Sequence, residues 1–364
     1  MIQAVISLVV VVGIFALVLP KIASYGSVWR TMRGLTAVQL LVLVAAMVFN
    51  LFTYWAQMVA AMPGLTLAQA AVNNQTGTTI SNVIPAGGAV SIGIVVAMFR
   101  SWGFTGSEIA LLISTTGVWN SFLKLSLPIF ALGLLAVTGK ATVALLIPAL
   151  IGLAILAGSV VAFALMLWRK EFARRIGGGV GAAWSWLRQL VRKPPVSTWG
   201  DGAVRFRKET IHLLRKRWLP LTVTTIASHL ALWLVLLLAL RFIGVSAGEV
   251  TAIQSLAVFA FARLLSAAPI TPGGVGFVEL ALIGGLYAAG HHHTDASPAV
   301  FKAQITAAVL LFRTLTYGIQ IPLGGFTYLV WRRRRRWLKA PPNGKPQVAR
   351  VGTVAPAGST PREA

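Results

Sequence analysis

Residues 269–279 read Pro269-Ile270-Thr271-Pro272-Gly273-Gly274-Val275-Gly276-Phe277-Val278-Glu279, in the middle of an apolar stretch that runs from 250 to 290. Two prolines remove backbone donors and three glycines loosen the chain, so a single continuous helix does not pass through this segment. The segment reads as two half-helices meeting at an irregular loop. Backbone of that kind is tolerated at membrane depth only where protein or a wet cavity surrounds it.

The rest of the chain says that membrane depth is the right frame. Of 364 residues, 57% are hydrophobic and 11% charged, against roughly a quarter charged in average globular proteins. Mean hydropathy is +0.79. Such a chain cannot cover a water-facing surface, which excludes an ordinary soluble enzyme. There is no cysteine, which excludes disulfides, thiolate metal sites and cysteine nucleophiles. Net charge is +24, and its placement matters more than its size. Thirteen Lys and Arg fall in 169–217, nine in 332–364, and three (Lys21, Arg30, Arg33) in the first short loop. That pattern is the positive-inside signature of a cytoplasmic face. No folded basic module is visible, so nucleic acid is not an expected partner.

Working outward, apolar segments at 35–62, 78–99, 108–138, 141–168, 218–240 and 303–331 are expected to lie in the membrane. Residues 2–19 are apolar with Lys21 behind them and no base ahead, the reverse of a secretory leader. They read as a first span with its start outside, or as following a natural start that lies further upstream. The fold class expected is all-α: a polytopic helical membrane bundle of two related halves with broken or re-entrant Gly/Pro segments. Its divisions are a first membrane half at 1–168, a basic cytoplasmic linker at 169–217, a second half at 218–335 and a disordered cytoplasmic tail at 336–364. Because linker and tail share a side, 250–290 must enter and leave on one side or cross twice. A weak echo of the break occurs in the first half, at Ser81-Asn82-Val83-Ile84-Pro85-Ala86-Gly87-Gly88. Matching interruptions in two halves are the usual pointer to a transporter's binding site.

Ionisable groups at membrane depth are costly, which makes each a candidate for function. Glu279 is the acid there, early in the second half-helix. Arg263 precedes the break, Arg313 lies in the last span, and Lys124 in 108–138. On one reading Glu279 pairs with Arg263 or Arg313 and holds the bundle together. On the other, the cations form a pocket for an anionic headgroup, with Glu279 orienting it or coupling to protons. Backbone N–H groups at Gly273, Gly274 and Gly276 either add an anion cradle or merely permit close packing. Asn82 and Asn120 read as interhelical hydrogen-bonding groups or as headgroup contacts, and His229 as a hydrogen-bonded core residue. His291-His292-His293 with Asp295 reads as an external loop, because three consecutive histidines do not share a helical face. Glu108, Glu249, Glu279 and Asp295 are scattered, so neither catalysis nor a cofactor is expected.

These residues resemble a known family. Pro269-x-x-Pro272-Gly273-Gly274-x-Gly276-x-x-Glu279 resembles the signature of the lysylphosphatidylglycerol synthase transmembrane region family, the flippase-like domain. Asn82-x-x-Pro85-x-Gly87-Gly88 is similar to its first-half motif, and Arg313 with Tyr317, Pro322 and Gly324-Gly325 to its last span. Ser91 and Ile92 stand where that pattern carries a basic residue. The resemblance spans roughly residues 5–335. It implies a multi-pass cell-membrane protein that binds or moves a lipid with a phosphate headgroup, aminoacylated or polyprenyl-linked, as a stand-alone module without the aminoacyltransferase domain. The candidate site residues are Glu279, Arg313, Pro272, Gly273, Gly274, Gly276, Asn82, Pro85, Gly87 and Gly88, which lie in the motifs that carry the resemblance, and Arg263 and Lys124, which come from the charges at membrane depth. Expected partners are membrane lipids, chiefly anionic. The alternatives are a glycosyl- or acyl-transferase acting on lipid-linked substrates, or a non-catalytic partner of an envelope-synthesis enzyme.

Overall fold

The computed structural model describes residues 25–83, 87–137, 143–172, 199–266, 271 and 274–333, with positions 174, 175, 178, 179, 182 and 185. The expectations for residues 2–19, for most of 169–198, for the tail, and for Pro85, Pro272 and Gly273 lie outside the described residues.

Every regular element among the described residues is helical. In chain order they are α1 (Tyr25–Arg33), α2 (Ala37–Ala61), α3 (Leu67–Val83), α4 (Gly87–Ser101), α5 (Gly106–Val137), α6 (Val143–Trp168), α7 (Trp199–Ile243), α8 (Ala252–Leu265), α9 (Phe277–Gly290), α10 (Pro298–Arg313), a π turn (Thr314–Gly318) and α11 (Gln320–Arg333). Five stretches are long and apolar enough to cross a bilayer: Ala37–Ala61, Gly106–Val137, Leu150–Trp168, Phe206–Ile243 and Pro298–Arg333. Large apolar side chains such as Val38, Leu41, Phe49, Phe130 and Ile151 are exposed on their outer faces, where lipid would cover them.

The centre of the bundle is the antiparallel pair α2 and α7. Asn50 Nδ2 donates to the Ser228 carbonyl at 2.7 Å, and Gln57 Nε2 donates to Thr225 Oγ1 at 2.6 Å. Extended along both helices, this register brings Ala37 level with the end of α7 near Ile243. It brings Ala61 level with Leu221, and those two residues share an apolar cluster.

Each of α3–α4 and α8–α9 is an antiparallel hairpin. Asn73 Nδ2 donates to the Val95 carbonyl at 3.3 Å and Ser91 Oγ to the Gly77 carbonyl at 2.8 Å, so α4 runs back along α3. In the second hairpin Gln254 Nε2 donates to the Ala289 carbonyl at 3.4 Å. A Cβ on Gly285 would stand 2.6 Å from Val258, so α9 runs back along α8. The stretch 250–290 therefore enters and leaves at one end. The expected span at 78–99 is corrected: it is the tip and return limb of a hairpin whose entering limb starts at Leu67.

The two hairpins open at opposite ends. Ser107 on α5 bonds Glu209 on α7, and Arg207 Nη2 donates to the Trp168 carbonyl at 2.9 Å. The start of α5, the end of α6 and the first part of α7 thus meet at one end, where α3–α4 also opens. The hairpin α8–α9 opens where α7 finishes. Arg30 and Arg33 lie at that second end, on α1, which packs on α10 ahead of α2. They are therefore not on the same face as the basic segment around Arg207. Arg33 instead lies over the ring of the exposed Trp29 at 5.1 Å, which suits a short helix lying along an interface.

The 45 residues of α7 extend about 67 Å at the helical rise, more than twice the roughly 30 Å apolar thickness of a bilayer. Residues 199–217, read from sequence as linker, are the projecting part of this helix, and the boundary at 217/218 falls inside it.

Candidate functional site

The second break is organised by its own glycines. Gly274 and Gly276 have φ of +70° and +90°, a region L side chains avoid. Gly276 caps α9, and its N–H donates to Glu279 Oε2 at 2.7 Å. The Gly274 N–H donates to the Thr271 carbonyl at 3.0 Å. Both amides are consumed within the loop, so the expected cradle of free N–H groups is not what these two glycines form.

Glu279 is 2% exposed. Its Oε1 accepts from Arg313 Nε at 2.7 Å, so the partner is Arg313 and not Arg263. The carboxylate sits in the first turn of α9, where a negative charge also suits the helix dipole. The Arg313 guanidinium lies over the Tyr317 ring at 4.7 Å, and the Tyr317 hydroxyl donates to the Asn82 carbonyl at 2.9 Å. The π turn Thr314–Gly318 follows Arg313 directly. Such wide turns recur at functional places in helices. Through it the end of α3, the start of α9 and the α10–α11 span are connected by side-chain bonds.

The other cations form a separate group. Arg263 stands in the last turn of α8, which packs on α5, the helix of Lys124, through Ala257, Ala260, Leu127 and Ala131, and α7, the helix of His229, touches both. His229 is fully buried. Its Nδ1 lies 3.1 Å from the Thr225 carbonyl, which can only accept, so Nδ1 carries the proton and Nε2 is left over. His229 Nε2 and Arg263 Nε are both buried with no hydrogen-bond partner. Among the described residues neither Arg263 nor Lys124 has an acidic partner. Gln57 links this group to its surroundings, bonding Thr225 and receiving Asn120 Nδ2 at 3.4 Å.

The first hairpin carries no charge at its tip. Against it lies an open cleft of about 310 Å³ lined by Asn73, Asn74, Thr78, Ser81, Asn82 and Ser91, with Met58, Gly77 and Val95. Ser91 lines this cleft, its hydroxyl donating to the Gly77 carbonyl at 2.8 Å. Gly87 is buried, and a Cβ there would overlap the carbonyls of Ile80 and Ser81. Gly88 faces open space. Neither of these glycines lines the cleft. On the far side of α3 the backbone of α11 comes close: a Cβ on Gly324 would overlap Thr79 Oγ1 and the Gln75 carbonyl, and Thr79 Oγ1 donates to the Gln320 carbonyl at 2.8 Å.

Sequence reading missed the entering limb α3, the cleft it lines, and the place of His229 beside Arg263. A signal for the limb exists. Thr66 and Gln69 exchange backbone and side-chain bonds at the start of α3, as Thr251 and Gln254 do at the start of α8. A Thr-x-x-Gln capping box thus opens each hairpin, less than twenty residues before its break.

Helices of membrane length enclosing buried ionic and cationic side chains define an integral, multi-pass membrane protein. Residues 4–324 match the family described as Lysylphosphatidylglycerol synthase TM region, most of the chain, and the chain belongs to that family, whose domain is flippase-like. No curated protein matches it.

Proposed function

We propose that this protein binds a lipid through its phosphate headgroup and passes it between leaflets. The observation that carries this reading is the pair Arg263 and Lys124, on helices that pack together, neither with an acidic partner among the described residues and the first with its Nε buried and unbonded. Half-buried cations at membrane depth are kept where they pair or where they serve a ligand. A visiting phosphate supplies the missing negative charge. Arg263 offers a planar donor fork for phosphate oxygens and Lys124 a mobile point charge. Glu279 and Arg313, being paired, hold the second break in shape instead of contacting the headgroup.

In this reading the two halves are inverted repeats. Each has a long helix, a re-entrant hairpin and a second long stretch, and the two hairpins enter from opposite sides. Binding at such a repeat interface, served by broken helices, is the common transporter arrangement. The end that carries Arg207 and the basic tail is the cytoplasmic one.

The test is lipid scrambling in proteoliposomes with acyl-labelled phosphatidylglycerol and dithionite bleaching of the outer leaflet. Arg263→Gln with Lys124→Gln is expected to slow scrambling at least tenfold while leaving the detergent gel-filtration profile and melting unchanged. Scrambling at the unaltered rate in that double variant would reject the site.

A further inference from the structure

We propose that the cleft on the first hairpin is a second headgroup groove, which holds polar lipid headgroups by neutral hydrogen bonds whatever their net charge. This goes beyond the passage proposed above, because the groove holds a headgroup whether or not the lipid then crosses. Six residues of α3 line it: Asn73, Asn74, Gly77, Thr78, Ser81 and Asn82. Spacings of three and four residues put them along one side of the helix. From the start of the limb at Leu67, Asn74 lies about 10 Å and Asn82 about 22 Å in at the helical rise, inside an apolar layer of roughly 30 Å. The side chains of Asn74, Thr78, Ser81 and Asn82 make no hydrogen bond among the described residues. Other hydroxyls in the bundle show the local alternative. Ser121, Ser126, Thr225 and Thr306 each donate to the carbonyl four residues earlier, which hides the group on its own helix. Thr78 and Ser81 do not, and the Gly77 carbonyl, one turn before Ser81, accepts from Ser91 instead. Polar groups left open at this depth cost free energy unless something polar meets them.

Among the described residues the lining contains no charged side chain, so it does not sort headgroups by sign. Asparagine amides and hydroxyls donate to phosphate oxygens, and they accept from the hydroxyl or ammonium groups that a headgroup also carries. An anionic glycerol headgroup and a zwitterionic ethanolamine one are equally well met. The volume of about 310 Å³ is at the lower end of the range for small-ligand sites, roughly 300–1,000 Å³, and suits a single headgroup. Met58 and Val95 add apolar surface to the lining. Val83, Val90 and Ile92 on the same hairpin are exposed, which gives acyl chains an apolar surface beside the groove. A lipid therefore fits better than a water-soluble phosphate ester of the same headgroup chemistry.

The chain has no cysteine, so Ser81→Cys puts a unique thiol in the groove of the full protein. Phe130→Cys, exposed on α5, puts one on the lipid-facing surface. Each variant is reacted in detergent with a charged, water-soluble methanethiosulfonate. The reaction is run alone and with dihexanoyl-phosphatidylglycerol, dihexanoyl-phosphatidylethanolamine or glycerol 3-phosphate. Ser81→Cys is expected to react at least tenfold faster than Phe130→Cys. Each short-chain lipid is expected to slow it at least threefold, and glycerol 3-phosphate to leave it unchanged. A Ser81→Cys thiol no faster than that of Phe130→Cys, or slowed by neither lipid, would overturn the groove. Slowing by one lipid alone would overturn its indifference to charge. Slowing by glycerol 3-phosphate as well would overturn the choice of a lipid as occupant. Where Ser81→Cys departs from the gel-filtration profile of the unaltered chain, Thr78→Cys takes its place with the same expected outcomes.

Discussion

The two hairpins are built alike and equipped differently. Each starts at a Thr-x-x-Gln box, descends about as far, breaks at proline and glycine, and returns. The second carries Arg263 before its break and Glu279 after it. The first has amides and hydroxyls, with Gly77 and Val95, and no charged group on its cleft side. Two hairpins of like build thus differ in carrying charges on one and neutral hydrogen-bonding groups on the other. Charges are placed where an arginine from another span can meet one of them, and neutral groups where a cleft stays open.

The strongest way to break this comparison is to remove one side of the ion pair. Arg313→Ala leaves Glu279 buried and unpaired, with an expected cost of about 3–5 kcal/mol, read as a large drop in thermal stability in detergent. Adding Glu279→Gln should restore part of it, and a double variant no better than the single would mean the pair is not what holds the second break. Next in size are the close approaches. Gly324→Ala pushes into Thr79 and Gln75 and should cost about 1–3 kcal/mol as overpacking. Gly88→Ala, in open space, should cost far less in the same melting assay. The capping boxes come third. Thr66→Ala and Thr251→Ala should each cost about 1 kcal/mol. A much larger loss for one than the other would show that the hairpins differ in their frames as well as in their fittings.

The smallest effect concerns the loop that opens the second hairpin. Burial tends to raise the Glu249 carboxyl, but the Thr294 hydroxyl, the Ser246 donors and Arg241 outweigh it and hold the group below its ordinary range. A carboxyl depressed by folding stabilises above its unfolded value, and that contribution fades as pH falls through its folded value. Melting followed from pH 7 down through the carboxylate range should therefore show a small acid-side loss that Glu249→Gln removes.

The sequence made the second break legible because its prolines and glycines interrupt an otherwise apolar run. The entering limb of the first hairpin was hidden by its own polarity. Asn73, Asn74, Gln75 and Thr76 look like a loop to any hydropathy reading. Asn73 and Thr76 tolerate burial because Asn73 bonds the α4 backbone and Thr76 bonds Thr327 on α11, while the buried Gln75 amide has no hydrogen-bond partner. Glu279 and Arg313 were readable as candidates from their cost at membrane depth. Which cation Glu279 would choose was not, since 16 residues separate it from Arg263 and 34 from Arg313 and packing alone decides between them. His229 was read correctly as hydrogen bonded, yet its leftover Nε2 depends on which face of α7 meets α8, a matter of tertiary register.

The π turn after Arg313 gives the bundle a stored residue of slack. An α-helix advances about 100° per residue, so ironing out that extra residue would swing everything beyond it by roughly a quarter turn or more. The Tyr317 grip on Asn82 and the Arg313 grip on Glu279 could not then hold together. One small rotation inside a single span would be enough to uncouple the two hairpins.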